Sequence, residues 1–412
     1  MDTRFPSDFL WGAGTSSYQI EGAALGCGKE ESIWDRFCLK QGAIQNGDTG
    51  DSAADHYRLW ETDVELLKQL KVNSYRFSIS WPRFFPSGKV NPEGKAFYDR
   101  LIDRLLEAKI EPMVTLYHWD LPQSLEDTGG WPERKTAEAF SAYARAAFLA
   151  YGDRVRFWIT QNEPWVAATL GYGLGIHAPG RKDPTLALKA SHNLLLSHGM
   201  AVQEIRRLAK KSVKLGIALN LSPVYPKGPL ADAHDLRLNQ FYLDGLFKGR
   251  YPEAIDFHPP AEEMKTISEP IDFLGINYYT RVQLKPDGEP VAESPNAYSS
   301  MWEFYPQGLS EIAERVWNEY KPKEILITEN GTALDGIDDP MRIEYMKAHL
   351  DQIGRLLEKK IPVRGYFAWS LLDNFEWAHG YGKRFGLVHV DYKTMKRTLK
   401  SSGRWYADIA GA

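Results

Sequence analysis

Residues Ile325–Gly331 read Ile-Leu-Ile-Thr-Glu-Asn-Gly, an apolar run that stops at a carboxylate and a turn. The first four residues have the composition of a buried strand, and Asn-Gly is a strong turn signal. Glu329 is therefore expected where a buried strand emerges at its C-terminal end. A charge in that position needs partners, because burying an unpaired carboxylate is costly. Taken alone, Glu329 fits a structural ion pair better than a catalytic role.

Similar short apolar runs recur along the chain, and stretches with helical spacing separate them. The predicted strands are Phe9–Thr15, Ser74–Ser80, Pro112–Tyr117, Arg156–Asn162, Lys214–Leu219, Asp272–Asn277, Glu324–Thr328 and Arg364–Ser370. The predicted helices are Asp63–Lys71, Gly94–Ala108, Pro132–Leu149, Pro184–Lys210, Glu311–Tyr320 and Ile343–Glu358. Alternating strands and helices predict a parallel sheet. Eight such units without a linker predict a closed (β/α)₈ TIM barrel, with residues 1–412 as one catalytic domain.

A doubly wound open sheet is the competing fold. That fold usually carries a glycine-rich phosphate loop after its first strand. The corresponding segment here, Ser16–Gly22, has no such pattern, and Gly171-x-Gly173-x-Gly175 lacks the rest of the fingerprint. The barrel is therefore the favoured fold.

Composition sets limits on partners and location. The 412 residues are 43% hydrophobic and 25% charged, with a net charge of −4, so neither nucleic acid nor an anionic membrane is an expected partner. Residues 1–5 lack the basic segment and apolar stretch of a signal peptide. The chain has only two cysteines, Cys27 and Cys38, and so few are expected to be free thiols in a reducing cytoplasm. No metal or other cofactor is predicted, because His118 and His177 lie on different loops without a ligand pattern. The sequence does not indicate an oligomeric state.

Polar and aromatic residues gather where the predicted strands end. They are Gln19, Arg76, Trp81, His118, Trp119, Asp120, Asn162, Glu163, Trp165, Asn277, Tyr279, Glu329, Trp369, Asp373, Asn374, Glu376 and Trp377. In a barrel the C-terminal strand ends meet on one face, where active sites are built. Glu163 follows strand four and Glu329 follows strand seven, so the two carboxylates are expected to face each other across the barrel mouth. Such a pair suits glycosidic cleavage, with retention at about 5–5.5 Å separation and inversion at about 6.5–9.5 Å.

The same motifs, in this order, resemble glycoside hydrolase family 1, the β-glucosidase family, over nearly the whole chain. The matching segments are Phe9–Gly12, Ser17–Gly22, Tyr75–Trp81, His118–Pro122, Asn162–Pro164, Asn277–Tyr279, Thr328–Gly331 and Trp369–Trp377. The family is retaining, so the resemblance implies a covalent intermediate. Glu329 then resembles the nucleophile and Glu163 the acid/base. Arg76 and the Tyr279 hydroxyl are the groups expected to keep Glu329 ionised.

The resemblance also implies a substrate and its contacts. The expected substrate is a β-glucoside or cello-oligosaccharide, with some tolerance of β-galactosyl and β-fucosyl units. Residues expected to bind substrate are Gln19, His118, Trp119, Asn162, Asn277, Tyr279, Trp369, Glu376 and Trp377, and those expected on the aglycone side are Trp165, Leu170 and Asn220. Asn162 is expected to bond the sugar 2-hydroxyl, and the Glu376 carboxylate can accept from two hydroxyls. The segments 222–272 and 332–339 look shorter than is typical of the family, which leaves aglycone preference open.

Two other functions remain as alternatives. A 6-phospho-β-glycosidase would need cations or hydroxyls facing the phosphate, whereas the Glu376 carboxylate would repel it. A non-catalytic sugar-binding barrel would tolerate loss of one carboxylate, whereas Glu163 and Glu329 are both present.

Overall fold

The computed structural model describes residues 5–23, 25–291 and 299–411. Its centre is a closed barrel of parallel strands that follow one another around the ring in chain order, and the eighth pairs with the first. The strands are β1 Leu10–Gly14, β2 Ser74–Ser78, β3 Glu111–Tyr117, β4 Phe157–Asn162, β5 Lys214–Asn220, β6 Phe273–Asn277, β7 Ile325–Asn330 and β8 Val363–Trp369. The predicted (β/α)₈ barrel is thus confirmed. β7 runs further than predicted, so Glu329 lies within the strand rather than after it.

The long helices lie where the sequence predicts them. Their bounds are His56–Gln69, Pro92–Glu107, Arg134–Tyr151, Pro184–Leu208, Gln307–Tyr320 and Pro340–Glu358. Asp183 caps the fourth as expected, accepting from the Thr185 amide at 2.8 Å. The first helix begins seven residues earlier than predicted, because Asp63 is not a start signal but a buried helical residue that bonds His56 and Arg397.

Several elements were not predicted. The helices are Ser17–Ile20, Ile33–Cys38, Trp81–Phe84, Gln123–Glu126, Val166–Gly173, Pro229–Asp235, Leu236–Gln240, Phe241–Lys248, Ala261–Ile267 and Ser401–Ala410, with single turns at Gln45–Gly47, Pro86–Gly88 and Trp377–His379. Val224–Tyr225 pairs with Val282–Gln283, and Val388–Asp391 forms a hairpin with Lys396–Leu399. Most of these elements are too short to show the hydrophobic periodicity from which helices and strands are predicted.

The core has two layers. A small cluster fills the inside of the barrel, namely Met113, Phe157, Ile159, Ala218, Phe273, Leu326 and Phe367. A larger layer packs between the strands and the helices, where Phe97, Leu101 and Leu105 of the Pro92–Glu107 helix are at most 1% exposed. Burial of each such side chain contributes about 1.5–3 kcal/mol. The packed barrel holds the C-terminal strand ends in fixed register, and Asn277 of β6 lies between Asn220 of β5 and Glu329 of β7.

Within the described ranges, no helix combines the length and apolarity needed to cross a membrane.

Candidate active site

Two carboxylates occupy the C-terminal mouth of the barrel from different sides. Glu329 lies near the end of β7, and Glu163 follows directly after β4. Arg76, from β2, is fully buried beneath them. The predicted convergence of strand ends therefore brings these three side chains into one site.

Glu329 is held by two donors. Arg76 Nη1 donates to its Oε1 at 2.7 Å, and the Tyr279 hydroxyl donates to its Oε2 at 2.6 Å. Burial raises the pKa of Glu329, while the Arg76 charge and the Tyr279 hydrogen bond act in the opposite direction. The structure thus places Arg76 and Tyr279 where the sequence analysis expects them, with contacts that favour the ionised carboxylate.

Glu163 has a different environment. Its Oε1 accepts from Asn277 Nδ2 at 2.7 Å, and no cation bonds it among the described residues. Burial, then the nearby charge of Glu329, raises the pKa of Glu163 to about 8, despite opposing effects of Asn277 and Arg76. The site therefore favours the protonated form of Glu163 at neutral pH, which is the form a general acid needs.

Asn162 links Arg76 to a histidine. Arg76 Nη2 donates to Asn162 Oδ1 at 2.5 Å, and Asn162 Nδ2 lies 3.1 Å from His118 Nε2. Because the amide is the donor in that contact, His118 Nε2 accepts and Nδ1 carries the proton. Nδ1 has no hydrogen-bond partner within the described ranges, although it is buried. Burial, followed by the Arg76 charge, lowers the pKa of His118 well below its usual value, so the ring is neutral.

A third carboxylate lies opposite, on the loop after β8. Gln19 Nε2 donates to Asn374 Oδ1 at 2.9 Å and to the Phe375 carbonyl at 2.8 Å, and lies 3.4 Å from Glu376 Oε2. Burial and the Glu329 charge raise the pKa of Glu376 to about 8, while Gln19 opposes the rise. Gln19 reaches this loop from the short Ser17–Ile20 helix rather than from β1 itself.

Aromatic rings form the walls of the site. Trp369 stacks with His118 at 5.6 Å between ring centroids, and Trp377 lies 4.6 Å from Trp119. The buried Trp34 ring packs against Trp377 at 4.5 Å between ring centroids. Trp119 also donates from Nε1 to the Asn162 carbonyl at 2.9 Å. These faces suit the apolar faces of a sugar ring.

Three of these residues have left-handed backbone conformations. The φ angles are 49° at Glu163, 79° at Trp119 and 49° at Trp377. Positive φ is rare for bulky residues and costs about 1–3 kcal/mol at each position. Strain of this kind concentrates at functional sites, where the surrounding structure holds it.

The loop after β8 is anchored from below by a buried ion pair. Asp373 accepts from Lys400 Nζ at 2.8 Å and from Arg384 Nη1 at 2.9 Å. Lys400 and Asp373 are both 0% exposed. Asp373 therefore positions the loop that carries Glu376 and Trp377, and has no direct place in the site.

The predicted aglycone residues follow or end two neighbouring strands, β4 and β5. Trp165 and Leu170, both half-buried, belong to the turn after β4 and to the Val166–Gly173 helix that follows it. Asn220 ends β5 and is in register with Asn277. No hydrogen bond joins Asn220 to Glu163 or Glu329 in the described part of the chain.

Trp302 is a rim residue that sequence reasoning missed. Its ring lies 4.9 Å from that of Tyr279 and 5.8 Å from that of Phe385. It follows no strand directly and belongs to no quoted motif. The one available signal was an isolated Trp in a polar stretch between β6 and the next long helix.

No group of three or more His, Cys, Asp or Glu residues is arranged to hold a metal ion in residues 5–23, 25–291 and 299–411.

Comparisons with known proteins agree with this geometry. The family model for Glycosyl hydrolase family 1 matches residues 1–412. Beta-glucosidase A of Thermotoga maritima is 44% identical, covering 98% of this chain and 97% of the relative. A bifunctional beta-D-glucosidase/beta-D-fucosidase of Bifidobacterium breve is 41% identical, covering 98% and 97%.

Solved structures match equally well. The Thermotoga maritima beta-glucosidase in complex with deoxynojirimycin superposes with a TM-score of 0.94 at 44% identity, covering 99% of both chains. The family 1 beta-glucosidase of Exiguobacterium antarcticum B7 gives 0.94 at 42% identity, covering 98% of both. The fold and the paired carboxylates are those of a glycoside hydrolase. The chain belongs to glycosyl hydrolase family 1.

Proposed function

We propose that this enzyme is a retaining β-glucosidase that removes terminal non-reducing β-D-glucosyl residues by double displacement. Glu329 acts as nucleophile and Glu163 as acid/base. The observation that carries this assignment is the contrast between two carboxylates. Glu329 is held by Arg76 and Tyr279, whereas the Glu163 carboxylate is bonded, among the described residues, only by the neutral Asn277 amide. The contacts of Arg76 and Tyr279 oppose the effect of burial on the pKa of Glu329, whereas burial and the Glu329 charge raise the pKa of Glu163.

In the first step, a Glu329 oxygen attacks the anomeric carbon while the bond to the leaving oxygen breaks. Glu163 gives its proton to that oxygen, and a glycosyl ester forms on Glu329. In the second step, Glu163 takes a proton from water, whose oxygen attacks the same carbon and releases Glu329. Two inversions give net retention.

Proton affinity changes between the steps. Part of the raised pKa of Glu163 comes from the Glu329 charge. Ester formation removes that charge, so the pKa of Glu163 falls, and the residue becomes ionised when the second step requires a base. Ester formation on Glu329 therefore switches Glu163 from acid to base.

Sugar recognition uses the opposite wall. Gln19, His118 and Glu376 offer donors and acceptors to the glycone hydroxyls, above the Trp369 face. Two relatives support tolerance of other sugars: one is named for glucosidase and fucosidase activity, and the Thermotoga maritima enzyme has been solved with a galacto-hydroximolactam. We propose the same tolerance of β-D-galactosyl and β-D-fucosyl units here.

Cello-oligosaccharides are the proposed natural substrates, since a relative from Thermotoga neapolitana is named 1,4-beta-D-glucan glucohydrolase. We also propose a cytoplasmic location, which the free Cys27 and Cys38 support. Fractionation of the native cells with activity assays on each fraction would test that location.

The mechanism is tested by release of p-nitrophenol from its β-glucoside by the wild type, E329A and E163A. Both variants are expected to lose activity, E329A by roughly 10⁴-fold or more. Added azide should restore turnover with opposite stereochemistry: α-glucosyl azide from E329A, which lacks the ester step, and β-glucosyl azide from E163A. E319A, on the surface, is the matched control. The same azide anomer from both variants would contradict the two roles.

The alternatives give distinct results. A 6-phospho-β-glycosidase would prefer the 6-phosphorylated aryl glucoside over the unphosphorylated one. A sugar-binding module would bind glucosides without releasing p-nitrophenol.

A further inference from the structure

One buried carboxylate at the barrel mouth has no part in the mechanism proposed above. Asp120 follows the end of β3 by three residues and is 1% exposed. No lysine or arginine bonds it in the described part of the chain. Its hydroxyl contacts lead instead to the ends of β2 and β1, the two strands that lie next in the ring.

A chain of hydrogen bonds joins Asp120 to the segments at the ends of these two strands. Ser17 Oγ donates to Asp120 Oδ2 at 3.0 Å, and Ser78 Oγ donates to Ser17 Oγ at 3.1 Å. The Ser17 amide also donates to Ser78 Oγ, at 2.7 Å. Ser17 begins the short helix after β1, and Ser78 ends β2. The ends of three neighbouring strands are therefore tied together through the buried Ser17 side chain.

Both segments joined by the Ser17–Asp120 bond carry a residue that faces the glycone in the proposed function. Gln19 lies two residues after Ser17 on the same helix, and His118 lies two residues before Asp120. Ser16 Oγ orients the Gln19 amide by donating to its Oε1 at 2.7 Å. Because Gln19 and His118 come from different strand ends, their relative position depends on contacts between the two segments.

The same bond supports a strained residue. Trp119, between His118 and Asp120, has a φ angle of 79°. Such a backbone persists only where the surrounding structure holds it. On one side His118 Nε2 lies 3.1 Å from Asn162 Nδ2, and on the other side Asp120 accepts from Ser17. Loss of the Asp120 bond would release one of these two anchors and let His118 move.

Asp120 holds a proton at neutral pH. Burial raises the pKa of Asp120 to about 8, and the Glu21 charge adds to that rise. Ser80, Ser17 and the Lys29 charge act in the opposite direction. A protonated carboxyl has one acceptor oxygen for the Ser17 hydroxyl and resembles a carboxamide in shape and charge. Asparagine is therefore the conservative replacement for Asp120, whereas alanine removes the acceptor.

We propose that Asp120 is a positioning residue for sugar recognition, which acts through Ser17 to hold Gln19 and His118 in the relative position that glycone binding requires. The proposal rests on the β-glucosidase function proposed above and deepens it, because part of the selectivity for glycone hydroxyls then depends on a residue outside substrate contact. An aspartate that only ordered its own loop would affect stability without changing which hydroxyls are recognised.

The test measures kcat/KM for p-nitrophenyl β-D-glucoside and for its 3-, 4- and 6-deoxy analogues. The fold-loss caused by each missing hydroxyl is called its deoxygenation penalty. Q19A and H118A identify the penalties that depend on these two residues, because each variant should reduce them. D120A and S17A are expected to reduce the same penalties, D120A by about fivefold, the worth of about one hydrogen bond. D120N should keep every penalty within about twofold of the wild-type value.

D244A and S191A are the matched controls, because each removes a buried polar group from an outer helix. Asp244 accepts from the Tyr320 hydroxyl at 2.7 Å, and Ser191 Oγ lies 2.7 Å from the Tyr242 hydroxyl. Both controls should keep the wild-type deoxygenation penalties even where they lower Tm.

The outcomes are separable. Penalties that stay at wild-type values in D120A and S17A, or that fall alike for every hydroxyl, would overturn the positioning role. A D120N variant that loses selectivity as D120A does would also overturn it, since asparagine keeps the acceptor. Absence of aryl glucoside hydrolysis by the wild type would overturn the proposed function instead. If D120A fails to fold, S17A decides the question, because it keeps the backbone bond to Ser78.

Discussion

Asn277 donates from Nδ2 to Oε1 of Glu163 at 2.7 Å, and the same side chain opposes the rise that burial causes in the pKa of Glu329. One neutral amide on β6 therefore influences the proton affinity of both proposed catalytic carboxylates. Thr328 orients that amide by donating to its Oδ1 at 2.7 Å. Because the charge of Glu329 also raises the pKa of Glu163, we expect the two acids to titrate as a linked pair.

Substitution N277A is expected to move both limbs of the pH profile to higher pH. The Asn277 hydrogen bonds lower the pKa of Glu163 and of Glu329, so their removal raises both. The measurement is kcat/KM for an aryl glucoside against pH. N220A, from the neighbouring strand position, should leave the limbs in place even where it changes KM. If both limbs of the N277A profile stayed at the wild-type pH values, the Asn277 amide would not influence the pKa values of Glu163 and Glu329.

The alkaline limb of wild-type kcat/KM should fall near pH 8. Glu163 must be protonated to act as acid, and its raised pKa keeps it so until the pH rises through about 8. With a poor leaving group, E163Q should lose roughly 10²–10⁴-fold and show no such limb. With 2,4-dinitrophenolate, which leaves without a proton, formation of the glycosyl ester should be nearly normal. A limb that persists unchanged in E163Q would assign it to another group.

E163Q should also be more stable than the wild type, and increasingly so at higher pH. The folded-state pKa of Glu163, about 8, exceeds the ordinary 4.5, so the native state holds a proton that the unfolded chain releases between these values. Wild-type stability therefore falls as pH rises through this window, and the uncharged glutamine avoids the loss. We expect a difference of about 1–2 kcal/mol at pH 8 and little at pH 4.5 in urea unfolding. E319Q, on the surface, should show no such trend.

D373A should destabilise the fold by about 3–5 kcal/mol, because it leaves the buried Lys400 without its carboxylate. The double variant D373A/K400M should recover part of that loss, which a denaturant-unfolding cycle would measure. D408A removes an exposed carboxylate 3.9 Å from Lys71 and should change stability by about 0.5 kcal/mol or less. If D373A lowered the free energy of unfolding as little as D408A does, the Asp373–Lys400 pair would not anchor the loop after β8.

The sequence predicted the strands and the carboxylates because burial and charge at these positions restrict which residues can occur. Strands buried on both faces are rich in apolar and β-branched residues, so Ile325–Thr328 was recognisable, and the barrel followed from the alternation of such strands with helices. The equally buried Ser74–Ser78 strand carries Arg76 and is the exception to this composition. The carboxylates were found because charges at the ends of such strands have few purely structural explanations once they recur around one face.

The features that were missed depend on contacts between distant segments. Asp63 could be read as a helix start because its partners His56 and Arg397 are not visible from local pattern. Trp302 reaches the rim through packing against Tyr279 and Phe385, and no local spacing encodes that position. The positive φ angles at Glu163, Trp119 and Trp377 likewise reflect tertiary constraint, since none of these residue types favours that conformation.

Those left-handed positions bear on how the enzyme responds to directed evolution. Glycine or asparagine would adopt φ values of 49° and 79° with less penalty than Glu or Trp. A library randomised at residues 119, 163 and 377 and screened for heat resistance alone should accumulate these smaller residues. The same library screened for sugar turnover should restore Trp119, Glu163 and Trp377. The two screens would therefore select different residues at the same three positions.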